Sequence, residues 1–390
     1  MKKAICFAMT AVMVSSFAMS AMAAETIKVG SIGPITGAAA IYGTNVKNAM
    51  EIAVDEVNAE GGDIQFEFKF EDDQHSPEVS VNAYNSLKDW GAQIIGGTVT
   101  TNPCIQVGAE AANDNMFMLT PSASSQDVID TGDNIFQVCF TDPNQGLASA
   151  DYIYNNSLGS TIGVIYNSSD AYSTGILNTF LAEAETLGLN VLDPQSFTDD
   201  NSTDLTTQVQ ACKDGGADLI FLPIYYTPAS QILKAADDMD YDVKFFGVDG
   251  MDGILSVEGF DTSLAEGVML LTPFVATAED EATQAFVAAY EEKSGGDTPN
   301  QFAADGYDVI KILYKACTEA GVTADMSASD ICDALKAVIT SDDFSYDGLT
   351  GEGMTWDESG AVSKEPRGMV IENGVYMPLD TAADAETEAE

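Results

Sequence analysis

Short apolar runs alternate with longer amphipathic segments along most of this chain. Strand-like runs are expected at 27–31, 64–70, 93–97, 116–119, 135–140, 161–166, 218–226, 243–248 and 267–274. Segments with the 3.6-residue period of a helix lie between most of them, at 77–90, 174–187 and 228–239 among others. This alternation predicts an α/β fold with parallel sheets covered by helices on both faces. The pattern changes after 279: helices dominate to 340, and a glycine-rich, hairpin-like stretch with Gly348, Gly351, Gly353, Trp356 and Gly360 runs on to Pro378.

The first unit is the most informative. Ile27, Val29 and Ser31 alternate, and Gly33-Pro34-Ile35-Thr36-Gly37 breaks the strand. A helix then carries Val46, Ala49, Met50, Ala53 and Val57 on one face, with Lys47, Glu51, Asp55 and Glu56 mainly on the other. A glycine-rich turn at the carboxyl end of a first strand is where open α/β sheets receive ligands, although an empty βα turn has the same form. No Gly-Lys-Ser/Thr follows, which disfavours a nucleotide-phosphate loop. The stretch 162–172 echoes this unit, with a strand, a tyrosine-bearing turn and a helix, so two doubly wound lobes are expected.

Composition narrows the function classes. Lys2 and Lys3, the apolar run 4–17 and Ala21-Met22-Ala23 have the form of a cleaved secretory leader, expected to span 1–23. Cys6 has no lipobox around it, so an exported, periplasmic or otherwise extracytoplasmic protein is expected. The net charge of −47, two units more negative without the leader, disfavours nucleic acid and anionic lipid as partners. Without Cys6, five cysteines remain, with no CxxC or Cys/His spacing. Cys317 and Cys332 could pair in an oxidising compartment or stay as buried thiols. The acidic, alanine-rich tail 380–390 is expected to be disordered.

Polar and aromatic residues fall where strands would end. Thr98, Thr100 and Thr101 follow one strand; Thr120, Ser122, Ser124 and Ser125 follow another. Tyr225 and Tyr226 end a third, and Asp249 ends a fourth. Hydroxyls beside free N–H groups at a helix start suit a carboxylate, and a lone acid on an opposing lobe suits an ammonium. Tyr42, Tyr172, Tyr225 and Tyr307 could wall an apolar side chain. Taken singly, the hydroxyls read equally as helix caps, Asp249 as a turn residue and the tyrosines as core.

Catalytic readings are weak. His75, the only histidine, could join Asp72 and Asp73 at a metal, but adjacent strand residues point to opposite faces. Ser76 and Pro77 read better as the cap and first position of a helix. No Gly-x-Ser-x-Gly elbow is present, and Arg367 is the only arginine. Neither an enzyme nor a metal or cofactor is expected.

Several motifs together resemble one family. They are Ile27-Lys28-Val29-Gly30-Ser31-Ile32-Gly33-Pro34-Ile35-Thr36-Gly37, Tyr42-Gly43, Asn58-Ala59-Glu60-Gly61-Gly62 and Asp72-Asp73 followed by Pro77. Gly97 with Thr100-Thr101, Leu119-Thr120-Pro121-Ser122-Ala123-Ser124, Gly247-Val248-Asp249-Gly250 and Thr355-Trp356-Asp357-Glu358-Ser359-Gly360 complete the set. In order and approximate spacing they resemble the leucine/isoleucine/valine-binding family of ABC-importer substrate-binding proteins.

The resemblance implies two Rossmann-like lobes, a type I periplasmic-binding fold, joined by crossovers near Thr141-Asp142, Thr272-Pro273 and 348–355. Lobe 1 would comprise 25–141 plus 274–348, and lobe 2 would comprise 142–273 plus 349–379. It implies that Thr101, Ser124 and nearby amides hold an α-carboxylate. Asp249, Ser124 and the Ser122 carbonyl would hold an α-ammonium, and Tyr42, Tyr172, Tyr225 and Tyr307 would line the pocket. The implied function is capture of a small amino acid, branched-chain or otherwise aliphatic, by a monomeric receptor that delivers it to an ABC permease. A ligand-sensing partner of a signalling receptor, or a receptor for an amide or small carboxylate, is the alternative. Thr101 stands where serine is frequent, Asp249 where some members have glutamate, and Thr100 where some have a disulfide cysteine.

Overall fold

A computed structural model describes residues 25–379; the expected leader and acidic tail lie outside the described residues. Two sheets form, each with helices on both faces. The first holds β1 (Glu25–Gly33), β2 (Ile64–Asp72), β3 (Ile94–Thr98), β4 (Met118–Thr120) and β5 (Ile135–Gln137). Its order is β2-β1-β3-β4-β5, and every pairing is parallel. The second holds β6 (Ile162–Asn167), β7 (Gln195–Phe197), β8 (Leu219–Leu222), β9 (Lys244–Gly247), β10 (Met269–Leu271), β11 (Gly368–Glu372) and β12 (Val375–Pro378). Its order is β12-β11-β10-β9-β8-β6-β7, parallel except where β11 pairs antiparallel with both β10 and β12. The α/β, two-lobed expectation holds.

The helices that position the cleft are α1 (Ala40–Ala59), α2 (Pro77–Trp90), α3 (Thr101–Asp114), α4 (Gln126–Ile129), α5 (Asp142–Asn155) and α6 (Ala171–Leu187). After them come α7 (Thr206–Asp214), α8 (Tyr226–Asp238), α9 (Glu281–Ser294), α10 (Gln301–Ala320) and α11 (Ala328–Ile339). Local chemistry sets their starts. Ser76 accepts from the Val79 N–H with Pro77 in the first turn, and Asp170 accepts from the Tyr172 N–H. The apolar stripe expected on α1 is buried at Val46, Ala49, Met50, Ala53 and Val57, where it faces β1 and α10.

The chain passes between the sheets after β5, after β10 and before β11. The stretch 349–364, expected with lobe 2, makes its bonds to the first lobe. Trp356 Nε1 donates to the Gln137 carbonyl at 2.7 Å, and the Gln137 N–H donates to the Gly360 carbonyl at 3.0 Å. Thr350 and Lys364 bond to Asp308 and Asp305 of α10. A buried indole needs an acceptor, and the edge strand β5 supplies one. Glycine spacing could not reveal that partner. All five described cysteines are buried free thiols, Cys317 and Cys332 included.

Candidate ligand-binding cleft

The carboxyl ends of both sheets meet at the seam between the lobes. On the first lobe, Thr101 opens α3 and is buried. Ser122 Oγ donates to the Val99 carbonyl at 2.7 Å, so that hydroxyl serves its own loop. Ser124 Oγ donates to Asp142 Oδ1 at 2.7 Å, and the Asp142 N–H returns a bond to the Ser124 carbonyl at 2.9 Å. The next residue after Thr101, Asn102, reaches across the seam to Ser169 and Ala171, just ahead of Tyr172.

On the second lobe, Asp249 leaves β9 in a tight turn and is 3 % exposed. Tyr172 donates to its Oδ1 at 2.6 Å and accepts from the Gly250 N–H at 2.9 Å. The Asp249 N–H donates to Gln145 Oε1 at 3.1 Å. Tyr225 stacks on Tyr172 with centroids 4.9 Å apart. Tyr42, from the first lobe, meets Tyr225 edge-on at 5.3 Å and packs on Phe302 at 4.4 Å. Its hydroxyl donates to the Gly250 carbonyl and accepts from the Tyr226 N–H. The lobes are therefore in contact through buried hydrogen bonds, a closed arrangement.

The electrostatics are acidic. Burial pushes Asp249 up to about 7, and the bond from Tyr172 opposes that rise. Burial lifts Asp142 well above the carboxylate range, with Asp249 and Asp170 adding repulsion. Asp170 is raised to about 7, again chiefly by burial. One oxygen of Asp142 and the Gln145 amide nitrogen are buried without a partner. These groups suit a ligand that brings donors and positive charge.

Tyr42, Tyr172, Tyr225 and Asp249 are brought together, with Ser124 joined to them through Asp142. Tyr307 is not among them. Its hydroxyl bonds the Glu56 carboxylate and its ring packs on Phe286 at 5.0 Å. Six residues beyond Gln301, it is turned about 240° around α10, away from the seam. Gln301 and Phe302 face the cleft from that helix instead. Sequence reading missed them, along with Asp142, Gln145 and Asp170. Only Asp142 and Asp170 carried a local sign, as acids at helix starts.

His75 lies at the same seam, with Nδ1 2.9 Å from the Thr100 hydroxyl and its ring edge-on to Tyr225. Asp72 and Asp73 accept instead from nearby backbone N–H groups. Among the described residues no group of three or more His, Cys, Asp or Glu converges as metal ligands. A separate cavity of about 400 Å³ lies beside Asp252, Phe274, Asn300 and Tyr376; none of the eight expected site residues lines it.

Comparison with known proteins agrees with this architecture. A Leu/Ile/Val-binding protein of Rhizobium johnstonii is 27 % identical over 334 residues, covering 84 % of this chain and 88 % of the relative. The LivJ substrate-binding protein of Streptococcus pneumoniae, solved with isoleucine, superposes with a TM-score of 0.81 at 23 % identity, over 92 % of this chain and 99 % of that one. A solute-binding protein of Rhodopseudomonas palustris, solved with 3,4-dihydroxybenzoic acid, gives 0.80 at 20 % identity, over 93 % and 99 %. The family model described as periplasmic binding protein matches residues 26–372, and the chain belongs to that family.

Proposed function

We propose that this protein is the extracytoplasmic receptor of an ABC importer and captures a small α-amino acid between its closing lobes. The observation that carries this reading is Asp249: a buried carboxylate, oriented by Tyr172, at a strand end on the seam. It supplies the counter-charge that an α-ammonium needs once it leaves water. The Ser124 hydroxyl donates its hydrogen bond to Asp142, so its oxygen lone pairs are free to accept from the same ammonium, beside the Ser122 carbonyl. Thr101 and the first N–H groups of α3 suit the α-carboxylate. Tyr42, Tyr172 and Tyr225 form an apolar wall that matches an aliphatic side chain, and a permease would receive the closed complex.

The aromatic wall also supports a second reading, an aromatic carboxylate such as the ligand of the Rhodopseudomonas relative. Asp249 argues against it, because a bare carboxylate brings no positive charge to meet this acid. Calorimetric titration with leucine, isoleucine, valine and benzoate separates the two. Leucine or a near relative is expected to bind the parent, and Asp249→Ala is expected to abolish that binding. Benzoate binding that survives Asp249→Ala, with no amino acid bound by the parent, would establish the second reading.

A further inference from the structure

We infer that Asp252 and Gln301 form a latch between the lobes that sets how far the closed form is populated. Helix α10 belongs to the first lobe, packed along α1, and its N-terminus points at the second. The opening N–H groups of a helix have no partner within it. Asn300 satisfies one, accepting from the Ala303 N–H at 3.2 Å. The Gln301 N–H is satisfied from the other lobe, donating to Asp252 Oδ2 at 2.9 Å. Asp252 is thus a helix cap supplied across the seam, where a carboxylate also complements the positive helix end.

The Gln301 side chain adds a second tie. Its Nε2 donates at 2.9 Å to the Asp249 carbonyl, which also accepts from the Asp252 N–H at 2.9 Å. Asp249 therefore faces the proposed ammonium with its carboxylate while α10 holds its carbonyl. Gln301 and Asp252 are 2 % and 1 % exposed, so both ties are buried. Both join residues on opposite lobes, so parting the lobes breaks them and returns the groups to water. Contacts made only in the closed form raise its population, and apparent affinity scales with that population. Asp252 and Gln301 are positioning residues: neither needs to touch the ligand to change its dissociation constant.

The geometry stands without a ligand, and only the affinity readout rests on the amino-acid reading. The test places one spin label on each lobe and records interlobe distances with and without leucine. It compares the parent with Asp252→Ala, Asp252→Asn and Gln301→Ala, and takes leucine affinity and melting curves in parallel. Asp252→Ala and Gln301→Ala are each expected to shrink the short-distance population and weaken leucine binding about tenfold. Asp252→Asn retains an acceptor and is expected to recover most of both. Distance distributions equal to the parent's in folded variants, with or without leucine, overturn the latch. If leucine, isoleucine and valine all fail to bind the parent, the amino-acid reading falls by itself, and the ligand-free distributions decide the latch.

Discussion

The Tyr172 hydroxyl is 2.6 Å from Asp249 Oδ1 and donates to it, while accepting from the Gly250 N–H that follows. One phenol thus orients the carboxylate and pins the backbone beside it. A hydrogen bond to a charged group contributes about 1.5–3 kcal/mol. Tyr172→Phe is expected to keep the stack on Tyr225 and to weaken amino-acid binding on the order of tenfold to a hundredfold. Titration calorimetry on the folded variant checks this; unchanged affinity would remove Tyr172 from the site.

Stability should respond to pH in an uncommon direction. Asp73, Asp170 and Asp249 are raised to about 7, and Asp252 and Asp308 to about 6, with burial the largest cause in each. A raised carboxyl means the folded chain holds that proton more tightly than the unfolded chain. The resulting stabilisation is complete below the unfolded value, near 4, and is lost as pH rises through 6 to 7. Lowered carboxylates such as Asp72 and Asp218 lose their contribution only at more acidic pH. The ligand-free melting temperature is therefore expected to rise between pH 8 and pH 5, and relief of self-repulsion at net charge −47 acts in the same sense. A fall across that interval in calorimetric scans would contradict the reading.

Lys364 is a buried cation on the passage that leads back into the second lobe. Its ammonium lies 3.0 Å from Asp305 Oδ1 and 2.8 Å from Thr350 Oγ1. Lys364→Met leaves the Asp305 charge unpaired and is expected to cost about 3–5 kcal/mol in denaturant unfolding. Adding Asp305→Asn removes that charge and should recover part of the loss. A single variant as stable as the parent would show that the pair carries no such weight.

Much of the fold was legible because periodicity is local. The stripe on α1, the cap at Ser76 and the acid at the end of β9 each follow from a few neighbouring residues. The cleft was legible in part. Tyr42, Tyr172 and Asp249 sit beside strand-ending turns, and that placement survives in three dimensions. Tyr307 misled because its place on a helix face, not its residue type, decides what it touches. Gln145, which bonds a residue 104 positions away, gave no local sign. The Trp356 indole was equally silent about its acceptor on β5, 219 positions back.

The sequence by itself determined two α/β lobes with mainly parallel strands and the turns at which polar and aromatic groups would collect, since strand alternation, helix stripes and glycine breaks are short-range effects. It also determined an acidic chain with few cations. Only the tertiary structure decided which of those turns meet, that Asp142 and Gln145 join them, and that 349–364 packs with the first lobe. It alone placed the α10 start against Asp252. These outcomes depend on burial and on satisfying polar groups left over by the local elements, and their partners come from distant parts of the chain.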